Sequence, residues 1–325
     1  MNCARIFAVY AALLGLALAL LALSLTSGSI DVGLSELWRS AGLEDSLAHS
    51  LVFELRLPRA VTGFAAGSAL ALAGALMQVL LRNPLADPFV MGVSGGAAVA
   101  ALSAMLIGLS GVGVSLWATV GALGAMVLVF ALAHGEGGWT PTRLLLTGVV
   151  VAAAASAAVS MLLALGDETR LRGMLFWLMG DLAFASPPGA LLAVLAAALA
   201  VSFPLARQLN VLARSEVQAR SLGAPVEALR VAVFVASSAL TAASVTTVGT
   251  IGFVGLVTPH LARLLLGADH RLMLPATALL GGSLVMAADL CARTLFAPRQ
   301  LPVGALTALV GAPVFLFLMR RTGRR

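Results

Sequence analysis

The chain has 325 residues, of which 60% are hydrophobic and only 10% charged, and its mean hydropathy of +1.03 excludes an ordinary soluble domain, where roughly 25% of residues are charged. The net charge of +6 does not mark a nucleic-acid binder, because the basic residues lie scattered between apolar runs and do not share a face. Apart from histidine every basic residue is Arg, so the chain can form neither a lysine Schiff base nor a phosphate loop ending in Gly-Lys-Ser/Thr.

Apolar runs of about 20 residues recur along the sequence, and the few aromatics among many Ala, Leu, Gly and Val favour helices over a lipid-facing barrel. The runs predict helices at 6–27, 60–81, 89–109, 112–133, 143–165, 188–206, 230–248, 253–267, 272–291 and 303–320. This is an all-α integral membrane protein of about ten transmembrane helices. The first run is longer than the roughly 7–15-residue apolar region of a signal peptide and reads as an uncleaved helix. Cys3 and Cys291 lack the spacing of a zinc or redox site and read as small apolar fillers.

Around the second helix, Arg56 and Arg59 flank Pro58, and after it the loop Arg82 to Pro88 carries two prolines. The next stretch, Gly92-Val93-Ser94-Gly95-Gly96, matches the serine-nucleophile elbow and the shorter pattern of intramembrane serine proteases. A serine needs a base within reach, and of the histidines only His260 falls in a membrane run. Glycine and serine at the start of a helix in a small-residue bundle are otherwise a packing device.

Farther along, Arg214 to Arg230 sets Val217, Leu222 and Val226 among charges and is broken by Gly223 and Pro225. Two short helices outside the bilayer are expected, either a docking handle or a solvated amphipathic loop. The eighth helix is interrupted by Gly249, Gly252, Gly255 and Pro259, so a short or broken helix is expected. Asp289 falls inside the ninth run, where an unpaired carboxylate is costly; Arg293, one turn on, is its economical partner. Arg293 and Arg299 sit at the outer mouth before the tenth helix, placed either to grip carboxylates of a soluble partner or to snorkel. No series of membrane carboxylates suggests a proton relay, and no His/Cys/Glu cluster suggests a bound metal. The hydroxyls of Thr140, Thr142, Thr246, Thr247 and Thr250 suit a cavity for neutral or chelated cargo, although threonines also bond their own backbone.

Sorted by alternate loops, the arginines divide thirteen against seven, with both termini on the richer side. The positive-inside rule then puts both termini in the cytoplasm. No loop could hold a separate soluble domain, so 1–325 reads as one transmembrane domain with an inner segment at about 207–229.

Taken together, Arg56-Leu57-Pro58-Arg59, Gly74 to Gln78, Arg82 to Pro88 and Gly92 to Gly95 resemble the FecCD-type permeases of iron-siderophore, haem and vitamin B12 ABC importers. Leu171 to Gly180 is similar to the family's outer segment, and Ala219 to Gly223 to its inner coupling segment. Gly249 to His260, Gly267 to Arg271, Leu301 to Gly304 and Gly311 to Pro313 follow in the family's order.

The resemblance implies a subunit in the bacterial inner membrane with short cytoplasmic coupling helices and no catalytic activity or bound cofactor of its own. Its partners would be a second permease copy or paralogue, two ATP-binding subunits carrying ATP and Mg, a periplasmic substrate-binding protein and membrane lipid. Arg220, Ser221, Leu222, Gly223, Ala224, Pro225 and Val226 would couple to the ATPase, and Arg56, Arg59, Arg293 and Arg299 would dock the binding protein. Thr140, Pro141 and Thr142 would stand at the cytoplasmic gate, where Pro141 departs from the small polar residue expected. The cargo implied is a bulky metal chelate, ferric siderophore first, haem or cobalamin otherwise. A proton-coupled secondary transporter is the rival from another class.

Overall fold

The computed structural model describes residues 2–28, 33, 47–134, 140–183 and 187–322, so Arg39, Arg324, Arg325 and much of the outer segment 27–58 fall outside the described residues. The described elements are helical: α1 (Cys3–Thr26), α2 (Leu57–Leu81), α3 (Val93–Leu106), α4 (Val112–Ala133), α5 (Pro141–Leu165), α6 (Glu168–Met179), α7 (Gly189–Ser202), α8 (Ala206–Arg214), α9 (Glu216–Ser221), α10 (Val226–Val248), α11 (Val254–Leu266), α12 (His270–Thr294) and α13 (Val303–Thr322). Helices α1, α2 with its lead-in from Ser50, α4, α5, α10 and α12 are long and apolar enough to cross a membrane. Helices α7 and α8 meet at 73°, a broken span or a re-entrant pair, while α3, α11 and α13 are shorter apolar helices. Each of the ten expected spans falls on one of these helices or on the bent pair, six of them on helices of full crossing length. Helix α6, expected only as an outer segment, is a separate helix of 12 residues.

Helix α2 is the axis of the fold, buried along nearly its whole length by small residues. At two of them it touches a neighbour backbone to backbone: a Cβ on Gly67 would overlap the carbonyl of Gly281 in α12, and one on Gly74 would overlap the backbone of Gly255 in α11. Lipid gives helices little hydrophobic reason to associate, so close van der Waals packing of this kind holds them together. By contrast α5 is almost wholly uncovered within the subunit, with Leu146, Val150, Met161 and Leu165 exposed. Such a face suits lipid or a second subunit.

Side-chain contacts fix the direction of each helix. Tyr10 Oη donates to Leu272 O (2.5 Å) near the starts of α1 and α12, and Arg293 Nη2 donates to Ser24 O (2.9 Å) near their ends, so the two run parallel. Helix α2 runs against them, from Arg59 beside Asp289 to Gln78 beside Arg263. The starts of α1 and α12 thus share one end of the molecule with the finish of α2, called here the coupling end. The opposite, rim end carries Arg56, Arg59, Arg293 and Gln300.

Two helices begin part-way through. The turn Pro88–Met91, capped by Asp87 accepting from Phe89 N (2.8 Å), packs on Gly148 in α5, so α3 starts about 12 Å inside the coupling end and finishes at the rim. Helix α11 starts at Val254, beside Gly74 and Pro88, and runs the other way. The two short helices thus start side by side inside the fold and run in opposite directions, α3 to the rim and α11 to the coupling end. Gly92 at φ 74° takes the left-handed turn into α3, and a Cβ on Gly95 would press Ala155 at 2.7 Å. Packing thus accounts for the glycines that mimic a protease elbow.

Candidate functional site

At the coupling end, Ser215 caps α9 by accepting from Gln218 N (3.4 Å), and Gly223, at φ 76°, ends it. Gly223 N donates to Arg220 O (3.0 Å) and Ala224 N to Ala219 O (2.9 Å), the paired bonds of a left-handed helix stop. The result is a compact knob. Ala219 and Val226 are buried under it, while Val217 and Leu222 are 74% and 73% exposed. Two of the three apolar residues set among the charges therefore project outward, and Val226 is buried.

Charge fixes the knob to the spans. Glu216 Oε1 accepts from Arg220 Nη2 (3.1 Å), and its Oε2 pairs with the buried guanidinium of Arg230 in α10 and stands 3.6 Å from Arg82 after α2. Glu227 closes the ring, accepting from Arg220 (2.6 Å) and Arg230 (3.3 Å). The hydrogen bonds that Arg220 donates to these two carboxylates push its pKa above the ordinary arginine value. Two acids and three bases thus join α9 to the ends of α2 and α10. Arg82 holds φ 47°, a left-handed conformation that lets the chain leave α2 sharply.

A cavity of about 1590 Å³ opens beside the network. Thr140, Pro141 and Thr142 line it together with Arg82, Arg214, Arg220 and Arg230. Thr140 Oγ1 caps α5 by accepting from Arg143 N (3.2 Å), with Pro141 in the first helical turn. Proline is favoured there because its missing N–H would have had no partner, which gives the departure at Pro141 a local physical reason.

At the rim end, Asp289 is 2% exposed and accepts from Arg59 through Nε (3.0 Å) and Nη2 (2.7 Å). Arg293 Nε lies 3.3 Å from the other carboxylate oxygen but off the hydrogen-bond direction, a purely ionic contact. The expected Asp289–Arg293 pair is present, and the stronger partner comes from 230 residues away. Arg56 Nη1 donates to Leu25 O (2.8 Å) and Thr26 O (3.1 Å), while Arg293 donates to Ser24 O (2.9 Å) and Ser27 O (3.2 Å). Both cations satisfy the carbonyls that end α1. Arg56, Arg59 and Arg293 also line a cleft of about 190 Å³ with Gln300, and Arg299 is exposed nearby.

A second feature lies at the rim end. The end of α6, the turn after α10 and the start of α13 meet at three glycines: Gly180 against Thr250 O, Gly249 against Trp177 O and Gly304 against Met179 O. Thr250 Oγ1 donates to Leu178 O at the same junction. Beside it, Thr246 and Thr247 line a cavity of about 440 Å³ with Phe176 and Trp177. Both hydroxyls bond Ala243 O, so backbone binding and cavity lining coincide in the same threonines.

A family model described as the FecCD transport family matches residues 16–321. The chain belongs to the FecCD transport family. It is 41% identical over 276 residues to the cobalamin import system permease protein BtuC of Halobacterium salinarum, covering 84% of this chain and 74% of that one. It is 36% identical over 312 residues to the iron(3+)-hydroxamate import system permease protein FhuB of Bacillus subtilis, covering 93% and 80%. A solved transporter assigned to the metal-chelate ABC type, in an inward-facing conformation, superposes with a TM-score of 0.86 at 33% identity, covering 95% of this chain and 98% of the other. As a FecCD member the chain is a multi-pass permease subunit of an ABC importer, a pore-former and not an enzyme.

Proposed function

We propose that two copies of this chain, or one with a paralogous permease, enclose the pathway of an ATP-driven importer for a bulky metal chelate in the bacterial inner membrane. The observation that carries this reading is the exposed α9 knob, with Val217 and Leu222 outward and Glu216 tied to the ends of two spans. A solvated loop would have no reason to hold apolar side chains in water on a rigid ionic base. A knob that enters a cleft on an ATP-binding subunit would.

In this reading residues 1–325 form one permease unit, its coupling end and both termini face the cytoplasm, and Arg220 to Val226 dock on the ATPase. ATP and Mg bind there, on the partner. Closure of the ATPase pair pushes α9, and the Glu216 network passes the push to α2 and α10, biasing the pore between outward and inward access. Thr140 to Thr142 stand where the pathway narrows on that side. At the rim, Arg59 and Arg293 share one carboxylate between them, leaving positive charge for an acidic residue of a periplasmic binding protein, with Arg299 at the edge and Arg56 shaping the cleft. A binding protein that delivers cargo directly leaves little specificity for the pore to supply.

The cargo is a ferric siderophore in this proposal, with haem as the alternative and cobalamin after it. Arginines outnumber glutamates four to two in the lining of the 1590 Å³ cavity, which suits an anionic chelate better than a neutral corrinoid. The test is uptake of all three by proteoliposomes holding the permease with its ATPase and candidate binding proteins. Ferric siderophore uptake that requires ATP and the binding protein supports the proposal. Uptake driven by a proton gradient without any ATPase overturns it and shifts attention to Asp289, a carboxylate buried within the ninth span.

A further inference from the structure

A second cavity at the coupling end, of about 450 Å³, lies between the finishes of α2 and α8 and the turn from α11 into α12. Arg82, Arg214 and Arg263 line it, and Asp269 is the sole carboxylate in that lining. Among the described residues no carboxylate lies in salt-bridge reach of Arg214 or Arg263, and Arg82 has only a distant share of a glutamate that serves two other arginines. Asp269 Oδ1 is already engaged by Asn210 Nδ2 (2.8 Å) and Arg271 N (3.1 Å).

The site is preorganised. Gln78, itself buried, accepts from Arg263 Nη2 (2.8 Å) and donates to Gly255 O (3.4 Å), so the guanidinium is held with its remaining donors unspent. Asn210 is fixed by His270, whose N donates to Asn210 Oδ1 (2.9 Å). Immediately beside Arg263, Leu264 and Leu265 are exposed at 53% and 38%, an apolar margin next to a cationic one.

We infer that Arg82, Arg214 and Arg263 form a binding site for a phosphate group, supplied by the headgroup of an anionic phospholipid or by free phosphate. Guanidinium forks match phosphate oxygens in pairs, and a cation pocket edged with leucines fits a headgroup whose acyl chains lie along α11. Because Arg82 belongs also to the Glu216 network, an occupied site would draw Arg82 away from Glu216 and alter how firmly the knob is held.

Native mass spectrometry of the full chain in detergent tests this, with phosphatidylglycerol, phosphatidylcholine or inorganic phosphate added in separate arms. The parent is expected to retain phosphatidylglycerol over phosphatidylcholine, with about fivefold weaker retention for each arginine removed in Arg214→Gln and Arg263→Gln. Arg5→Gln, an exposed arginine of the same end, should change nothing, and the Arg214→Lys/Arg263→Lys pair, which keeps the charge but loses the forks, should fall between the parent and the Gln variants. Competition by inorganic phosphate, or its retention without lipid, supports the site and separates the two sources. Equal retention of both lipids, or arginine variants that lose only association with an acidic protein partner, would overturn the inference. Should the Gln variants fail to fold, the parent's unfolding temperature decides: a rise with phosphatidylglycerol but not phosphatidylcholine supports the site, and equal shifts contradict it.

Discussion

At the rim end Arg56 and Arg293 are 8% and 9% exposed and spend their donors on the carbonyls of α1, while at the coupling end the side chain of Arg220 is 55% exposed and bridges two glutamates. Both ends therefore join arginine to carboxylate, in different solvents. Buried, the pair is a clamp whose loss leaves a charge with no water to receive it. Half exposed, Arg220 contributes little to folding and can exchange partners as neighbours move, while Glu216 stays anchored on the buried Arg230. The buried rim network holds the fold; in the proposed function the coupling network transmits.

The largest stability effect should come from the clamp. Asp289→Ala leaves Arg59 and Arg293 buried without their acid and should cost about 3–5 kcal/mol, read as a lower unfolding temperature or failure to accumulate in the membrane. Gly74→Ala comes next, since its Cβ has no space against Gly255, where α2 and α11 meet. Overpacking of this kind costs about 1–3 kcal/mol, and Gly74→Leu should abolish folding. At the coupling end Glu216→Gln keeps a neutral acceptor against the buried Arg230 guanidinium and should cost about 1–3 kcal/mol, yet weaken the link between ATP hydrolysis and uptake by about 0.5–2 kcal/mol, measured as uptake per ATP. Leu222→Ser should leave the unfolding temperature within about 0.5 kcal/mol of the parent. If Asp289→Ala proves as mild as Glu216→Gln, the distinction between clamp and transmitter is lost.

Much of this was legible in the sequence where short-range rules apply. The i to i+4 spacing named Arg293 as a partner of Asp289, and the glycines before Pro259 marked α11 as short. The loop-by-loop sorting of arginines matches the two ends, with Arg82, Arg220 and Arg230 joined at one and Arg56, Arg59 and Arg293 gathered at the other. Arg59 as the main partner of Asp289 was not legible, because that pair depends on how two distant helices cross. Nor was the meeting of α2 and α11 at Gly74 and Gly255, which depends on the backbone route. The sequence names Val217, Leu222 and Val226 together as apolar points among charges but cannot sort them; the fold buries Ala219 and Val226 and leaves Val217 and Leu222 facing out.

The central claim is that energy enters through the exposed knob. The direct measurement is ATP-dependent uptake by Leu222→Asp in proteoliposomes with the ATPase and binding protein, beside the unfolding temperature of the same preparation. The account predicts a normally folded permease whose uptake is lost, together with the stimulation of ATP hydrolysis by the binding protein. Uptake at the parent's rate from that variant would contradict it.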